Sequence, residues 1–154
     1  MPEKAVISNL LKSYRRDPPR KQAEFAKEIK ISRKQLSCLE LREANPSMRT
    51  LQKIADYGGL SLAELLWTDD KTPCPPSGTL APEAVMASRV KAFRTGEGAS
   101  QERFAERVGI SVSLLIRIEH GLAAPCLDVL QALAHHMGIT VSELFIPDPE
   151  EGGM

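Results

Sequence analysis

The chain has 154 residues, 42% of them hydrophobic and 26% charged, and its formal net charge is zero. No apolar run approaches the roughly 18–20 residues of a membrane-spanning helix, and the amino terminus lacks the apolar stretch of a signal peptide. This composition excludes an integral membrane protein and is typical of a globular protein, which we expect to be cytoplasmic. The three cysteines, Cys38, Cys74 and Cys126, include no close pair, so neither a disulfide framework nor a zinc site is predicted.

The zero net charge conceals two oppositely charged halves. Residues 1–66 contain 13 Lys and Arg against 8 Asp and Glu, a net charge of +5, and residues 67–154 contain 7 against 12, a net charge of −5. This asymmetry indicates that the halves perform different tasks. Because contact with a phosphate backbone depends on positive charge, the basic half is the better candidate for binding nucleic acid.

Apolar spacing and helix breakers divide the first half into five short helices. The first has apolar residues at helical spacing from Val6 to Tyr14 and ends at Asp17-Pro18-Pro19. The third begins at Ser32, which forms a predicted capping box with Gln35. The others are expected at 22–29, from 45 to 58 and in a last turn capped by the Ser-x-x-Glu motif at 61–64.

The second half repeats the first at an offset of 79 residues. Of the 57 positions aligned from residue 10 to residue 66, 17 are identical and no gap is needed. The helices of the second copy are predicted at 85–93, 101–108, 111–120 and 127–137, with a capped turn at 140–145. A Pro-rich stretch separates the copies. We therefore expect an all-α protein with two tandem five-helix domains, at 1–67 and 83–147, a linker at 68–82 and a tail at 148–154.

Motifs in the first copy, taken in chain order, are similar to those of the lambda-repressor-like (Cro/repressor, Xre) helix-turn-helix domain. They are Gln-x-x-Phe-Ala from Gln22, Ile31-Ser32, Glu40, Asn45-Pro46-Ser47, Leu-x-x-Ile-Ala from Leu51 and Leu-Ser-x-x-Glu-Leu-Leu from Leu60. The resemblance covers nearly the whole of both copies. It implies a transcriptional regulator of bacterial, phage or mobile-element origin, by family habit a repressor. It also implies double-stranded DNA as the partner. The sequence contains no nucleophile–base set, phosphate-binding loop or metal constellation, so we expect no enzymatic activity, cofactor or metal.

Two features depart from the family pattern. The turn between the second and third helices usually has a left-handed Gly; Gly109 fits, whereas Lys30 would cost about 1 kcal/mol there. Ala124 and Cys126 replace Asn45 and Ser47 before the fourth helix of the second copy, so its amino-terminal cap is expected to be weaker.

The resemblance implies that the third helix of the first copy lies in the major groove. With Leu36 and Leu39 buried, its outward residues are Arg33, Lys34, Ser37 and Cys38, and Arg and Lys can donate to guanine O6 and N7. Gln22 matches the family position that bonds a phosphate and braces the third helix. The predicted phosphate contacts are Gln22, Lys21, Arg20, Arg42 and Arg49.

The third helix of the second copy supports two interpretations. Gln101, Ser113 and Arg117 could form a second DNA site. Its other outward residues include three aliphatic ones, Val112, Leu114 and Ile116, which in acidic surroundings favour a partner-binding face. The second domain is thus expected to dimerise, to bind a regulatory protein or to read a second half-site. An antagonist or co-regulator resembling antitoxins or antiactivators, acting mainly through protein binding, is the competing function.

Two charged pairs recur at the same offset, Arg15 with Glu40 and Arg94 with Glu119. In the family, the equivalent positions resemble a partly buried salt bridge that ties the first helix to the end of the third. We expect these four residues to serve the fold, and loss of one partner would leave a desolvated charge unpaired.

Overall fold

The computed structural model describes residues 2–16, 19–68, 74 and 81–147. The first repeat contains α1 (Pro2–Arg16), α2 (Gln22–Ile29), α3 (Arg33–Glu40), α4 (Met48–Gly58) and α5 (Leu62–Leu65). The second contains α6 (Pro82–Glu97), α7 (Gln101–Val108), α8 (Val112–Glu119), α9 (Leu127–Met137) and the 3-10 helix η1 (Ser142–Phe145). The predicted all-α fold with tandem domains is confirmed for these residues. Most of the predicted linker, the tail and the Asp17-Pro18 helix end lie outside them.

Side-chain caps determine where α3 and α8 begin. Ser32 accepts a hydrogen bond from the Gln35 backbone N–H at 3.0 Å, and the Gln35 side chain accepts one from the Ser32 backbone N–H at 3.2 Å. This is the capping box predicted for α3, and it satisfies two backbone donors that the first helical turn leaves unpaired. Ser111 caps α8 in the corresponding place, by accepting from the Leu114 backbone N–H at 3.1 Å.

Left-handed residues end the helices in both repeats. Lys30 has φ 65° and its counterpart Gly109 has φ 90°, as the motif comparison predicts. A second pair was not predicted: Arg42 has φ 63° where the second repeat has Gly121 at φ 72°. A side chain in this conformation costs about 1 kcal/mol relative to glycine, so the first repeat carries strain at two positions where the second carries none.

Helix α6 is longer than the predicted helix 85–93. It begins at Pro82, because proline is accepted in the first turn where no helical partner exists for its N–H, and it ends before the left-handed Gly98. Apolar periodicity marks only the buried stretch of a helix, here Val85, Met86, Ala87 and Val90. The polar ends leave no such signal.

The two repeats share one continuous apolar core. In the first, Phe25 is fully buried and α1 packs on α3; in the second, Phe104 is fully buried and α6 packs on α8. The repeats meet where α5 packs against η1. They also meet where the segment before α4 pairs in antiparallel fashion with the segment before α9, through a single bridge between Ser47 and Cys126.

Candidate nucleic-acid interface

Helix α3 presents its basic side chains to solvent at its amino-terminal end. Arg33 and Lys34 are exposed, whereas Leu36 and Leu39 are buried on the opposite side of the helix. This division follows from the 3.6-residue period, which places residues three apart on one face. The exposed end therefore carries two long cations, the side chains best suited to guanine O6 and N7 in a major groove.

Ser37 and Cys38, the other two predicted base-reading residues, are only partly exposed. Cys38 lines a shallow cavity of about 260 Å³ between α3 and the loop that leads to α4, together with Lys34, Asn45 and Pro46. Ser37 and Cys38 lie four residues after Arg33 and Lys34, and therefore on the same face of the helix about one turn further along. Their side chains are shorter than those of Arg33 and Lys34 and extend less far from the helix.

A buried carboxylate ties three helices together at the carboxyl end of α3. Glu40 is 4% exposed, and its Oε1 accepts from Arg15 Nη2 at 2.7 Å and from Arg15 Nε at 3.2 Å. Its Oε2 accepts from Gln22 Nε2 at 3.2 Å, and its backbone carbonyl accepts from Ser8 Oγ at 2.6 Å. Helices α1 and α2 thereby hold the orientation of α3.

The second repeat contains the same network at the same offset. Arg94 donates through Nε to Glu119 Oε2 at 2.6 Å and through Nη2 to Glu119 Oε1 at 3.0 Å, and Gln101 Nε2 donates to Oε1 at 3.2 Å. These hydrogen bonds raise the pKa of Arg94 above its usual range. The two side chains of the pair are 14% and 3% exposed, so this pair is more deeply buried than Arg15–Glu40, at 32% and 4%.

The network places Gln22 and Gln101 as braces at the starts of α2 and α7. In each repeat the amide nitrogen donates to the carboxylate at the end of the third helix, α3 or α8. The predicted bracing role therefore has a direct geometric basis. Both side chains remain partly exposed, which leaves their predicted contacts with DNA as a proposal.

Arg20 occupies a different environment from the one expected for a phosphate contact. Its guanidinium forms an ion pair with Glu28, donates to Tyr57 Oη at 2.6 Å and to the Tyr14 carbonyl at 3.1 Å, and lies 5.2 Å from the centre of the Phe25 ring. Its side chain is 16% exposed, and the hydrogen bond to Tyr57 raises its pKa. We therefore assign Arg20 to the fold. Its position beside Lys21 gave no sign of these partners, because Glu28 and Tyr57 are distant from it in the sequence.

The three other cationic residues predicted to contact phosphate have exposed side chains. Lys21 lies directly before α2, and Arg49 lies in the first turn of α4. Arg42 follows α3, and its Nη2 is 3.5 Å from Asn9 Oδ1. All three are free of the short, multiple contacts that hold Arg20, so a phosphate can approach them.

The aliphatic residues of α8 do not form the exposed patch that the sequence favoured. Val112, Leu114 and Ile116 are each only partly exposed, and Val112 and Leu114 pack against the core. Ser113 and Arg117 are exposed instead. On so short a helix, leaning side chains reach the core from positions that a helical projection places outside, which is why periodicity overstated their exposure.

The large aliphatic residues that are most exposed in the described part of the chain lie elsewhere. Leu41, at 62%, directly follows α3, and Leu122, at 71%, lies in the loop after α8. Neither was singled out in the sequence, because an isolated apolar residue beside a helix end carries no periodic signal. Among the described residues, no helix has both the length and the apolar content that crossing a bilayer requires.

Comparison with known proteins identifies both repeats. A helix-turn-helix family profile matches residues 11–65 and again residues 90–144, two matches of equal length at the offset of 79. An uncharacterised HTH-type transcriptional regulator of Bacillus subtilis, YazB, is 39% identical over 64 residues, which are 42% of this chain and 93% of that protein. The HTH-type regulator MJ0272 of Methanocaldococcus jannaschii is 29% identical over 66 residues, 43% of this chain and all of that protein.

These relatives are each about one repeat long, so neither represents the tandem arrangement. Among solved structures, a hypothetical transcription factor from Neisseria, NHTF, is similar at 27% identity with a TM-score of 0.42. The match covers 46% of this chain and 79% of that chain.

Proposed function

Because the chain belongs to the Cro/C1-type helix-turn-helix family of transcriptional regulators, we propose that it is a sequence-specific repressor that reads the major groove with α3 of the first repeat. The observation that carries this proposal is the pair Arg33 and Lys34, exposed at the amino-terminal end of a helix whose opposite face is buried. In this family of folds, that end of the second helix of the motif meets the base edges.

The bracing network supports a reading role because sequence recognition needs a fixed helix. Bidentate contact with a guanine requires donors held within about 0.5 Å of the productive geometry, and Glu40 ties the end of α3 to both α1 and α2. Lys21 and Arg49 lie at the starts of the flanking helices, where they would neutralise phosphates on either side of the groove. Repression would follow from occupancy of a promoter by this surface.

The competing proposal, a protein antagonist acting through α8, has less support. It relied on an exposed aliphatic face, and Val112, Leu114 and Ile116 are only partly exposed, with Val112 and Leu114 packed against the core. The residues that α8 does expose, Ser113 and Arg117, are hydrogen-bonding groups suited to base edges.

Selection of bound sequences from a random duplex library, followed by fluorescence anisotropy over a salt series, tests the proposal. The double variant Arg33→Ala/Lys34→Ala should lose about 10- to 100-fold in affinity for the selected duplex, since one bidentate base contact is worth about 1–3 kcal/mol. Its affinity for random duplex should change much less.

Two further double variants separate the contributions. Lys21→Ala/Arg49→Ala should weaken binding to all duplexes and lower the magnitude of the salt slope by about 2, because each phosphate contact contributes about 0.9. Lys12→Ala/Lys27→Ala removes the same charge from exposed positions outside the proposed interface and serves as the matched control. Absence of any salt-dependent binding by the intact protein would refute the DNA-reading proposal.

A further inference from the structure

We propose that the two repeats of one chain form a built-in pseudo-dimer that reads two unequal half-sites, so that a single chain occupies a non-palindromic operator with α3 on one half and α8 on the other. This inference rests on the proposed DNA-binding function and adds to it the stoichiometry and the form of the DNA partner.

Reciprocal backbone hydrogen bonds relate the repeats by a pseudo-two-fold axis. The Met48 N–H donates to the Pro125 carbonyl at 3.0 Å, and the Leu127 N–H donates to the Pro46 carbonyl at 2.8 Å. Adding or subtracting 79 converts each bond into the other. The bridge between them joins Ser47 to Cys126, a residue to its own counterpart. Such self-complementary pairing is the signature of an isologous interface, here formed within one chain.

Apolar packing extends the same relation. Helix α5 packs against its own counterpart η1, and Leu62, Leu65 and Leu66 are buried, as are Val141, Leu144 and Phe145 at the corresponding positions. All six residues are 3% exposed or less. An apolar surface that a single repeat would leave open is therefore covered by the other repeat, and a second copy of the chain has no access to it.

Charge favours pairing of unlike repeats over pairing of like ones. Lys4 Nζ lies 3.8 Å from Asp128 Oδ1 across the boundary. Under the offset, Lys4 corresponds to Glu83 and Asp128 corresponds to Arg49, so the equivalent positions again carry opposite charges, with the signs exchanged. Two first repeats arranged in the same way would bring Lys4 against Arg49, and two second repeats would bring Glu83 against Asp128. Like charges in both alternatives act against them.

The symmetry has a consequence for DNA. The pseudo-two-fold relation between Ser47 and Cys126 extends along the chain to α3 and α8, since loops of equal length, 41–47 and 120–126, join these helices to the bridge. Duplex DNA presents successive major-groove faces in the same relation, about 10–10.5 base pairs apart. Binding of both helices to one duplex requires α3 and α8 to match this spacing, as in helix-turn-helix dimers, with the difference that the two halves of this chain carry different side chains.

The side chains predict the composition of the half-sites. The first repeat offers Arg33 and Lys34, which suit guanines. The second offers Ser113 and Arg117, with the partly exposed Val112 placed to touch a thymine methyl group. Because the second half of the sequence carries a net charge of −5, it should contribute base contacts and little counterion release. The salt slope should come mainly from the first repeat.

Half-site exchange and stoichiometry test this inference. In the selected duplex AB, A is the half-site read by α3 and B is the half-site read by α8. Fluorescence anisotropy compares the affinity for AB with the affinities for the symmetric duplexes AA and BB. Analytical ultracentrifugation measures the mass of each complex. We expect one chain per AB duplex, and at least a 10-fold preference for AB over AA and BB. We also expect a 10- to 100-fold loss of AB affinity in Ser113→Ala/Arg117→Ala.

The control variant is Ser88→Ala/Lys91→Ala, which removes one hydroxyl and one positive charge from exposed residues of α6; thermal melting of both double variants establishes that they fold. A palindromic selected site bound by two chains would overturn the pseudo-dimer inference. So would AB affinity unchanged in Ser113→Ala/Arg117→Ala. In both cases salt-dependent binding persists and the proposed function stands. Loss of all binding by the unmodified protein would overturn both.

Discussion

Helix α9 begins at a cap that the other repeat supplies, and removing that cap should destabilise the whole protein. Cys126 precedes the helix and forms no side-chain cap, as the sequence predicted. Instead, Asn45 Oδ1 of the first repeat accepts from the Asp128 backbone N–H at 2.9 Å. Asn45 thus does for α9 what Ser47 does for α4, across 83 residues of sequence.

Substitution of Asn45 by Ala leaves the Asp128 N–H without its acceptor. Loss of an amino-terminal cap costs about 0.5–2 kcal/mol, typically about 1 kcal/mol. For a protein of this size, 1 kcal/mol corresponds to a fall in Tm of about 2–4 °C. Differential scanning calorimetry at fixed pH resolves a change of this size. Because the repeats share one continuous apolar core, the variant should still melt in one transition at the lower temperature.

Two controls isolate the hydrogen bond. Asn45→Asp keeps an oxygen acceptor and places a negative charge at a helix amino terminus, so its Tm should equal or exceed that of the unmodified protein. Glu43→Ala changes an exposed residue of the same loop and should alter Tm by less than about 1 °C. If Asn45→Ala melted no lower than Glu43→Ala, the cross-repeat cap would contribute nothing and the reasoning would be wrong.

Three further predictions concern stability, each measured by urea unfolding. Lys30→Gly should raise the free energy of unfolding by about 0.5–1 kcal/mol, because glycine adopts the left-handed conformation at φ 65° without strain. Gly109→Ala should lower it by a similar amount. An unchanged free energy of unfolding in Lys30→Gly would show that the turn is unstrained. Glu119→Gln should lower the free energy of unfolding by about 3 kcal/mol, because Arg94 loses its buried, negatively charged partner. Lys4→Ala breaks a more exposed ion pair and should lower it by less than about 1 kcal/mol. Equal losses would contradict the difference in burial between the two pairs. Phe145→Ala should cost about 3–5 kcal/mol, and a cost below 1 kcal/mol would mean that η1 does not hold the repeats together.

Much of the fold was readable from local chemistry. The capping box at Ser32 and Gln35 and the left-handed conformation at Lys30 depend on residues adjacent in sequence, and both occur as expected. The duplication was equally readable, because each repeat must bury the same apolar positions. Periodicity was less informative at helix ends, and α6 extends beyond its apolar stretch in both directions.

The features that were not predicted from the sequence depend on contacts between residues that are distant in the chain. Arg20 was grouped with the phosphate contacts because its partners Glu28 and Tyr57 come from later helices. Asn45 was interpreted only as part of the cap of its own repeat. Its side-chain oxygen instead accepts the hydrogen bond from the Asp128 backbone N–H in the other repeat. The antiparallel pairing at Ser47 and Cys126 left no pattern in either segment alone. Comparison of the copies could have revealed the exchanged charges at Lys4 and Glu83 and at Arg49 and Asp128.

Hydroxyl-radical footprinting of the selected duplex tests most directly the claim that one chain carries two DNA readers about an internal pseudo-dyad. At a protein concentration that saturates one chain per duplex, we predict two protected patches on one face of the DNA, centred about 10–10.5 base pairs apart. Arg33→Ala/Lys34→Ala should weaken one patch first, and Ser113→Ala/Arg117→Ala the other. A single protected patch, or two patches that appear only when a second chain binds, would contradict the account.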